Sequence, residues 1–206
     1  MAYEDLNLKR LRQLALVYNS GSDAQNRWGS NVNLWINEGL RRFYQGQDGV
    51  EDVVTFTTTA GQRSYPMPEG LLYVRMFLLN GLPLEYRELM DQDYYAQGNS
   101  RPGWYTPWSG NLFLGPLAPD TKYNCQMFFY RSPKALINDN DIPEIPPQWR
   151  TSLAKYAAAM ACIADRDLQT AQALLQDFSA EKNDFDNYKT IRTRDNFLGV
   201  GNRFQV

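Results

Sequence analysis

The stretch Leu71-Leu-Tyr-Val-Arg-Met-Phe-Leu-Leu-Asn-Gly-Leu-Pro-Leu-Glu-Tyr-Arg87 decides how the chain divides. Leu71 to Leu79 reads as a strand, and Asn80-Gly81 follows it with two residues that tolerate the positive φ of a type I′ turn. Leu82 to Arg87 is therefore expected to return beside Leu71 to Leu79 as the second arm of a hairpin. Upstream, Val53, Val54, Phe56 and the Thr55 to Thr59 run favour a strand, because β-branched side chains are stiff at χ1 and pack well on a pleated surface. A turn at Ala60 to Gln62 separates the two. Downstream, strands are expected at Trp104 to Trp108, at Leu112 to Leu114 after Ser109-Gly110-Asn111, and at Tyr123 to Arg131 after Pro116, Pro119 and Asp120. The reading is a small antiparallel β unit over residues 51–132.

On both sides the period becomes helical. Leu8, Leu11, Leu14, Ala15 and Tyr18 recur at helical spacing, with Lys9, Arg10, Arg12 and Gln13 between them. After a loop-like Asn19 to Gly29, Ser30 is a plausible N-cap for the best-patterned helix, with Val32, Trp35, Ile36, Leu40, Phe43 and Tyr44 on one face. Four prolines between Pro133 and Pro147 interrupt regular structure, and Pro146-Pro147 sets up a helix start. The next helix carries Leu153, Tyr156, Ala157, Met160, Ala161 and Ala164, and its run of small residues admits a close neighbour. Asp165-Arg166-Asp167 breaks it before a fourth helix bearing Leu168, Ala171, Leu174, Leu175, Phe178, Phe185 and Tyr188. Lys189 to Val206 shows no sustained period. The predicted fold is thus α+β and mostly α: a four-helix bundle (residues 1–50 and 133–188), the β unit inserted between helices 2 and 3, and an extended C-terminal tail (189–206).

Composition narrows the function. The chain has 206 residues, 43% hydrophobic and 21% charged, the range of a folded globular chain. A net charge of −2 supplies no global field for nucleic acid or an anionic membrane. No apolar run reaches the ~20 residues of a membrane span, and the charged, leucine-containing start reads as neither a signal peptide nor an anchor. Cys125 and Cys162 lie far apart in different kinds of segment and are expected as reduced, buried thiols. The chain contains no histidine, so it lacks the usual general base near neutral pH, the commonest nitrogen ligand for transition metals and the middle member of a serine or cysteine triad.

Three local patterns invite chemistry and are read structurally. Asp139 and Asp141 sit in a Pro/Asn-rich connection where Asp makes side-chain turns, with no second cluster at ligand spacing. Trp104 and Trp108 could form a stacking platform for sugar or single-stranded nucleic acid, but the preferred reading packs them into the base of the β unit. Gly199-Val-Gly201 lacks the strand and helix of a phosphate loop. No catalytic, cofactor-binding or metal-binding residue and no cofactor are assigned, and the chain is not expected to be an enzyme.

Four stretches in order resemble one known family: Trp28 and Trp35-Ile-Asn37-Glu-Gly-Leu40-Arg-Arg-Phe43-Tyr44; Phe56-Thr-Thr-Thr-Ala-Gly61-Gln62-Arg-Ser-Tyr65-Pro66-Met-Pro68; Arg101-Pro102 with Leu112 to Leu114 and Pro116; and Ile145-Pro-Pro147 ahead of Ala154 to Ala164 and Asp165-Arg-Asp167. Together they are similar to the head-to-tail connector adaptor proteins of tailed bacteriophages. The resemblance implies a homo-oligomeric ring, commonly of twelve copies, in the neck of a virion assembled in the host cytoplasm. Its implied partners are the portal protein, a tail or nozzle protein, and double-stranded DNA passing without sequence specificity, with no membrane. It also implies a C-terminal tail that docks on the portal. Here Arg192, Arg194 and Arg203 could bind partner carboxylates, and Ile191, Phe197, Leu198 and Phe204 could supply apolar anchors. Lys189, Arg192, Arg194 and Arg203 against Asp195 give that tail a charge of +3. The alternatives are a glycan-binding or other structural component of the tail, and a hydrolase working through carboxylates alone.

Overall fold

The computed structural model describes residues 6–19, 24–45, 49–88 and 97–201, with residues 24–26 and 190–201 as backbone. The chain forms two compact units, one of residues 1–47 with 133–206 and one of residues 48–132.

Four α-helices are described in the first unit: α1 (Leu8–Tyr18), α2 (Ala24–Tyr44), α3 (Thr151–Ala164) and α4 (Leu168–Gly201), with a 3-10 turn at Pro147–Trp149 ahead of α3. Asn7 caps α1 by accepting the Arg10 N–H at 3.0 Å. Helix α3 is the centre of the unit. Leu153, Tyr156 and Cys162 are buried, as are Ser152, Ala154, Ala157, Ala158, Ala159 and Ala161. Small residues on every side let α1, α2 and α4 all pack against this one helix. On α2, Gly39 meets the Tyr156 ring so closely that an added Cβ would lie 3.0 Å from it. Phe43 then joins α2 to α4, with ring centroids 5.9 Å from Phe178 and 5.0 Å from Phe185. Trp35, expected on the buried face, is only half-buried and tilts against Trp28 at 5.9 Å.

The irregular segment 133–146 is held by side chains. The Asn37 amide donates to the Leu136 carbonyl at 2.9 Å and accepts the Leu136 N–H at 2.7 Å. The carbonyls of Asp141 and Asp139 take the otherwise unpaired N–H groups of Leu8 and Lys9 at the start of α1. At the α3–α4 break Arg166 adopts φ 63°, and the Asp167 carboxylate accepts the Thr170 N–H at 3.2 Å to start α4.

Seven strands are described in the second unit: β1 (Val50–Thr57), β2 (Ser64–Pro66), β3 (Leu71–Leu79), β4 (Leu82–Tyr86), β5 (Trp104–Trp108), β6 (Asn111–Gly115) and β7 (Asn124–Arg131). They form one sheet in the order β1-β7-β3-β4-β5-β6-β2. Neighbours are antiparallel except β4 and β5, which pair parallel through Glu85 with Trp104 and Tyr86 with Tyr105. Asn80 and Gly81 have φ 49° and 78° at the β3–β4 turn, and Ser109 and Gly110 have 47° and 77° at the β5–β6 turn, as type I′ hairpins require. The sheet curls into a half-barrel, so strands distant in its order share one core. Tyr65, Phe77, Leu79, Tyr105, Leu112, Leu114, Cys125, Met127 and Phe129 are buried there, with Val54 and Phe56 against them.

This corrects the predicted fold class. The structure is not a four-helix bundle with a small antiparallel β unit: it has four described helices and a seven-stranded, curled, mixed sheet with a core of its own. The sequence reading missed β2, three residues ending in proline, and the parallel β4–β5 pair, whose long connection carries no turn signal that fixes strand direction. The tail is also corrected, because α4 continues through Gly201 where an extended segment was expected from residue 189.

Candidate functional site

The seven tail residues singled out by the sequence fall into two groups. Ile191, Arg192, Arg194, Phe197 and Leu198 lie on the C-terminal part of α4, while Arg203 and Phe204 lie outside the described residues. At 34 residues α4 is ~51 Å long, more than twice the length of the 14-residue α3 at its side. The Trp149 ring lies 5.2 Å from both Phe185 and Tyr188 of this helix, and the Lys189 Nζ lies 5.3 Å from the centroid of the Tyr44 ring.

The polar clusters elsewhere hold structure together. Asp141 accepts the N–H groups of Ile137 and Asn138 at 2.7 and 2.8 Å. The hydrogen bonds from Asn138 and Ile137 hold its carboxyl below the usual range. Asp139 pairs with Arg12 on α1. The two carboxylates thus stabilise a turn and its junction with α1, and among the described residues no group of three acidic, histidine or cysteine side chains is placed to hold a metal. Between α3 and α4, Ser152 donates to Glu181, and Lys155 reaches Glu181 at 2.6 Å and Asp177 at 3.2 Å. Burial of the Lys155 ammonium is outweighed by its two carboxylate partners, so its pKa is raised and it stays charged. Cys125 and Cys162 are free and buried, and burial pushes the Cys125 thiol up to about 12.

The two indoles of the β unit have different environments. Trp104 is 5% exposed and lies over Gly115, with the guanidinium groups of Arg63 and Arg87 at 6.0 and 5.8 Å from its ring. Trp108, at the rim of the β5–β6 turn, is 58% exposed. One ring is core and the other surface, so they do not make a paired stacking platform.

The sequence reading overlooked the free edge of β1. Thr58 N–H bonds to the Tyr123 carbonyl at 2.9 Å, which fixes the phase of the β1–β7 ladder. Even-numbered residues of β1 therefore bond to β7, and Glu51, Val53, Thr55 and Thr57 turn their backbone groups away from the sheet. The Asp52 carboxylate accepts the Val53 N–H at 2.8 Å. Acidic residues inside a β-branched run, as in Val50-Glu-Asp-Val-Val-Thr-Phe-Thr57, are the available signal of an edge strand.

No curated protein matches the sequence at a significant level. A protein-family comparison does, over residues 1–201, which include both units. The chain belongs to the SU10 adaptor protein family, a family of phage structural adaptors.

Proposed function

We propose that this adaptor is one subunit of a virion neck ring, of twelve copies, that joins the portal to a tail or nozzle protein. The ring would form part of the channel through which double-stranded DNA passes, and would be assembled in the host cytoplasm. The observation that carries the reading is the family match over residues 1–201. The low net charge of −2 supports it, because a strongly basic channel would hold DNA through counterion release.

The C-terminal part of α4 is the proposed portal-docking element. Ile191 and Leu198 are seven residues apart, two helical turns, with Phe197 beside Leu198 and Arg192 and Arg194 between. Apolar anchors interspersed with forked cationic donors suit a surface bearing carboxylates. The test is co-sedimentation with portal of the full chain and of a chain ending at Tyr188, with folding checked by circular dichroism. Weaker binding by a folded, shortened chain is expected. Equal binding would refute the docking role.

A further inference from the structure

We propose that Asn80 is a site of self-modification, at which the Gly81 backbone nitrogen displaces the side-chain amide, and that the β3–β4 turn holds this site shut until the hairpin opens. Asn80-Gly81 is the sole Asn-Gly pair in the sequence. Glycine favours the chemistry, because with no Cβ beside it the following nitrogen can approach the side-chain carbonyl. Both residues are exposed, and a Cβ added at Gly81 would meet nothing within 4 Å, so water reaches the pair. The reaction needs no other partner. The Gly81 amide gives up its proton to water or hydroxide, its nitrogen bonds to the Asn80 Cγ, and the Cγ–Nδ2 bond breaks to release ammonia. The product is a five-membered succinimide. Water then opens the ring at either carbonyl, giving aspartate, or isoaspartate with the main chain running through Cβ and Cγ.

The native turn opposes ring closure in two ways. The first central residue of a type I′ turn has φ about 60° and ψ about 30°. Asn80 at φ 49° and Gly81 at φ 78° keep to that shape. Closing the ring swings the Gly81 nitrogen toward the Asn80 Cβ, a rotation about the Cα–C bond that carries the chain out of the turn. Asn80 is also latched to the start of β7. Its N–H donates to the Asn124 carbonyl and its Oδ1 accepts the Asn124 N–H, both at 2.8 Å, so the carboxamide is held toward β7. Opening the hairpin releases both restraints together, and the reaction then follows the open population.

The two products differ in what they permit. Asp-Gly suits a type I′ turn as Asn-Gly does, and its carboxylate still accepts the Asn124 N–H. Isoaspartate adds a main-chain atom to a two-residue turn whose flanking pairs, Leu79 with Leu82 and Leu78 with Pro83, leave no room for it in register. The hairpin it interrupts carries Leu84 to the sheet core and joins β3 to the parallel β4–β5 pair. Reaction to isoaspartate in an opened molecule is therefore one-way.

Peptide mapping by mass spectrometry tests this on the unaltered full chain. Trypsin cuts after Arg75 and Arg87, and in the peptide Met76 to Arg87 the only side-chain amide is that of Asn80, so an amide-to-acid mass gain there locates the reaction. Samples are held at neutral pH, native or unfolded in guanidinium chloride, and digested over time. Deamidation of Asn80 is expected to be at least about tenfold slower in the native chain. A native rate equal to or above the unfolded rate would overturn the proposal. The second readout separates isoaspartyl from aspartyl peptides by chromatography. After partial reaction in denaturant and dilution, chains that elute with native protein on gel filtration should be depleted of isoaspartate and should retain aspartate. An undiminished share of isoaspartate in that fraction would overturn the one-way step.

Discussion

Replacing Phe43 with alanine removes the ring that joins α2 to α4. Phe43 is fully buried, and its centroid lies 5.9 Å from Phe178, nearly edge-on, and 5.0 Å from Phe185. A buried phenylalanine truncated to alanine costs about 3–5 kcal/mol, and two aromatic partners place this site toward the upper half, at about 4 kcal/mol. With a urea dependence of about 2 kcal/mol per molar, the unfolding midpoint of the helical unit should fall by about 2 M. The assay is urea denaturation followed by circular dichroism at 222 nm, where helices dominate the signal. Trp35→Ala is the control: its ring is half-buried and faces Trp28, so a loss of about 1–2 kcal/mol is expected despite the larger side chain. A loss below about 1.5 kcal/mol for Phe43→Ala, or a larger loss for Trp35→Ala, would refute the packing described.

Gly115→Ala should destabilise the β unit by about 3 kcal/mol, since its Cβ would collide with the Trp104 indole; a wild-type melting temperature with unchanged tryptophan emission would contradict this. Asp141 has its carboxyl pKa lowered in the fold, so below the ordinary Asp value the unfolded chain takes up the proton first. Its contribution is complete above about pH 4 and is lost as pH falls through the folded value, so Asp141→Asn should flatten that part of an acid stability profile. An identical profile would show that the Asp141 carboxylate does not stabilise the turn. Both thiols are buried, with Cys125 pushed up to about 12, so neither should react with a maleimide at pH 7.5 in the native protein, and both should react in denaturant. Fast labelling of Cys125 in the native protein would show that the sheet core opens.

Where local chemistry decides conformation, the structure could be read from the residues. Asn80-Gly81 and Ser109-Gly110 make the expected turns, and Asp165-Arg166-Asp167 breaks the helix where expected. Non-local choices were less legible. Ser30 has the chemistry of an N-cap, yet α2 begins at Ala24, because a cap residue is tolerated inside a helix that tertiary packing holds. The curl of the sheet, the parallel β4–β5 pair and the addition of β2 depend on which strands share a core, and strand periodicity is the same for every pairing. Gly199 and Gly201 read as punctuation, but α4 carries the backbone through both. Of the proposed docking residues, the five on α4 could be named from the sequence but not placed on a helix. The β1 edge was visible only as a strand, because an unpaired ladder is a property of the assembled sheet.

The most direct test of the central claim is electron microscopy of the purified adaptor mixed with its portal. A closed ring of twelve adaptor subunits seated beneath the portal, with a continuous axial channel, is expected. Portal particles with no added density, or with single adaptor molecules bound off the axis, would contradict it.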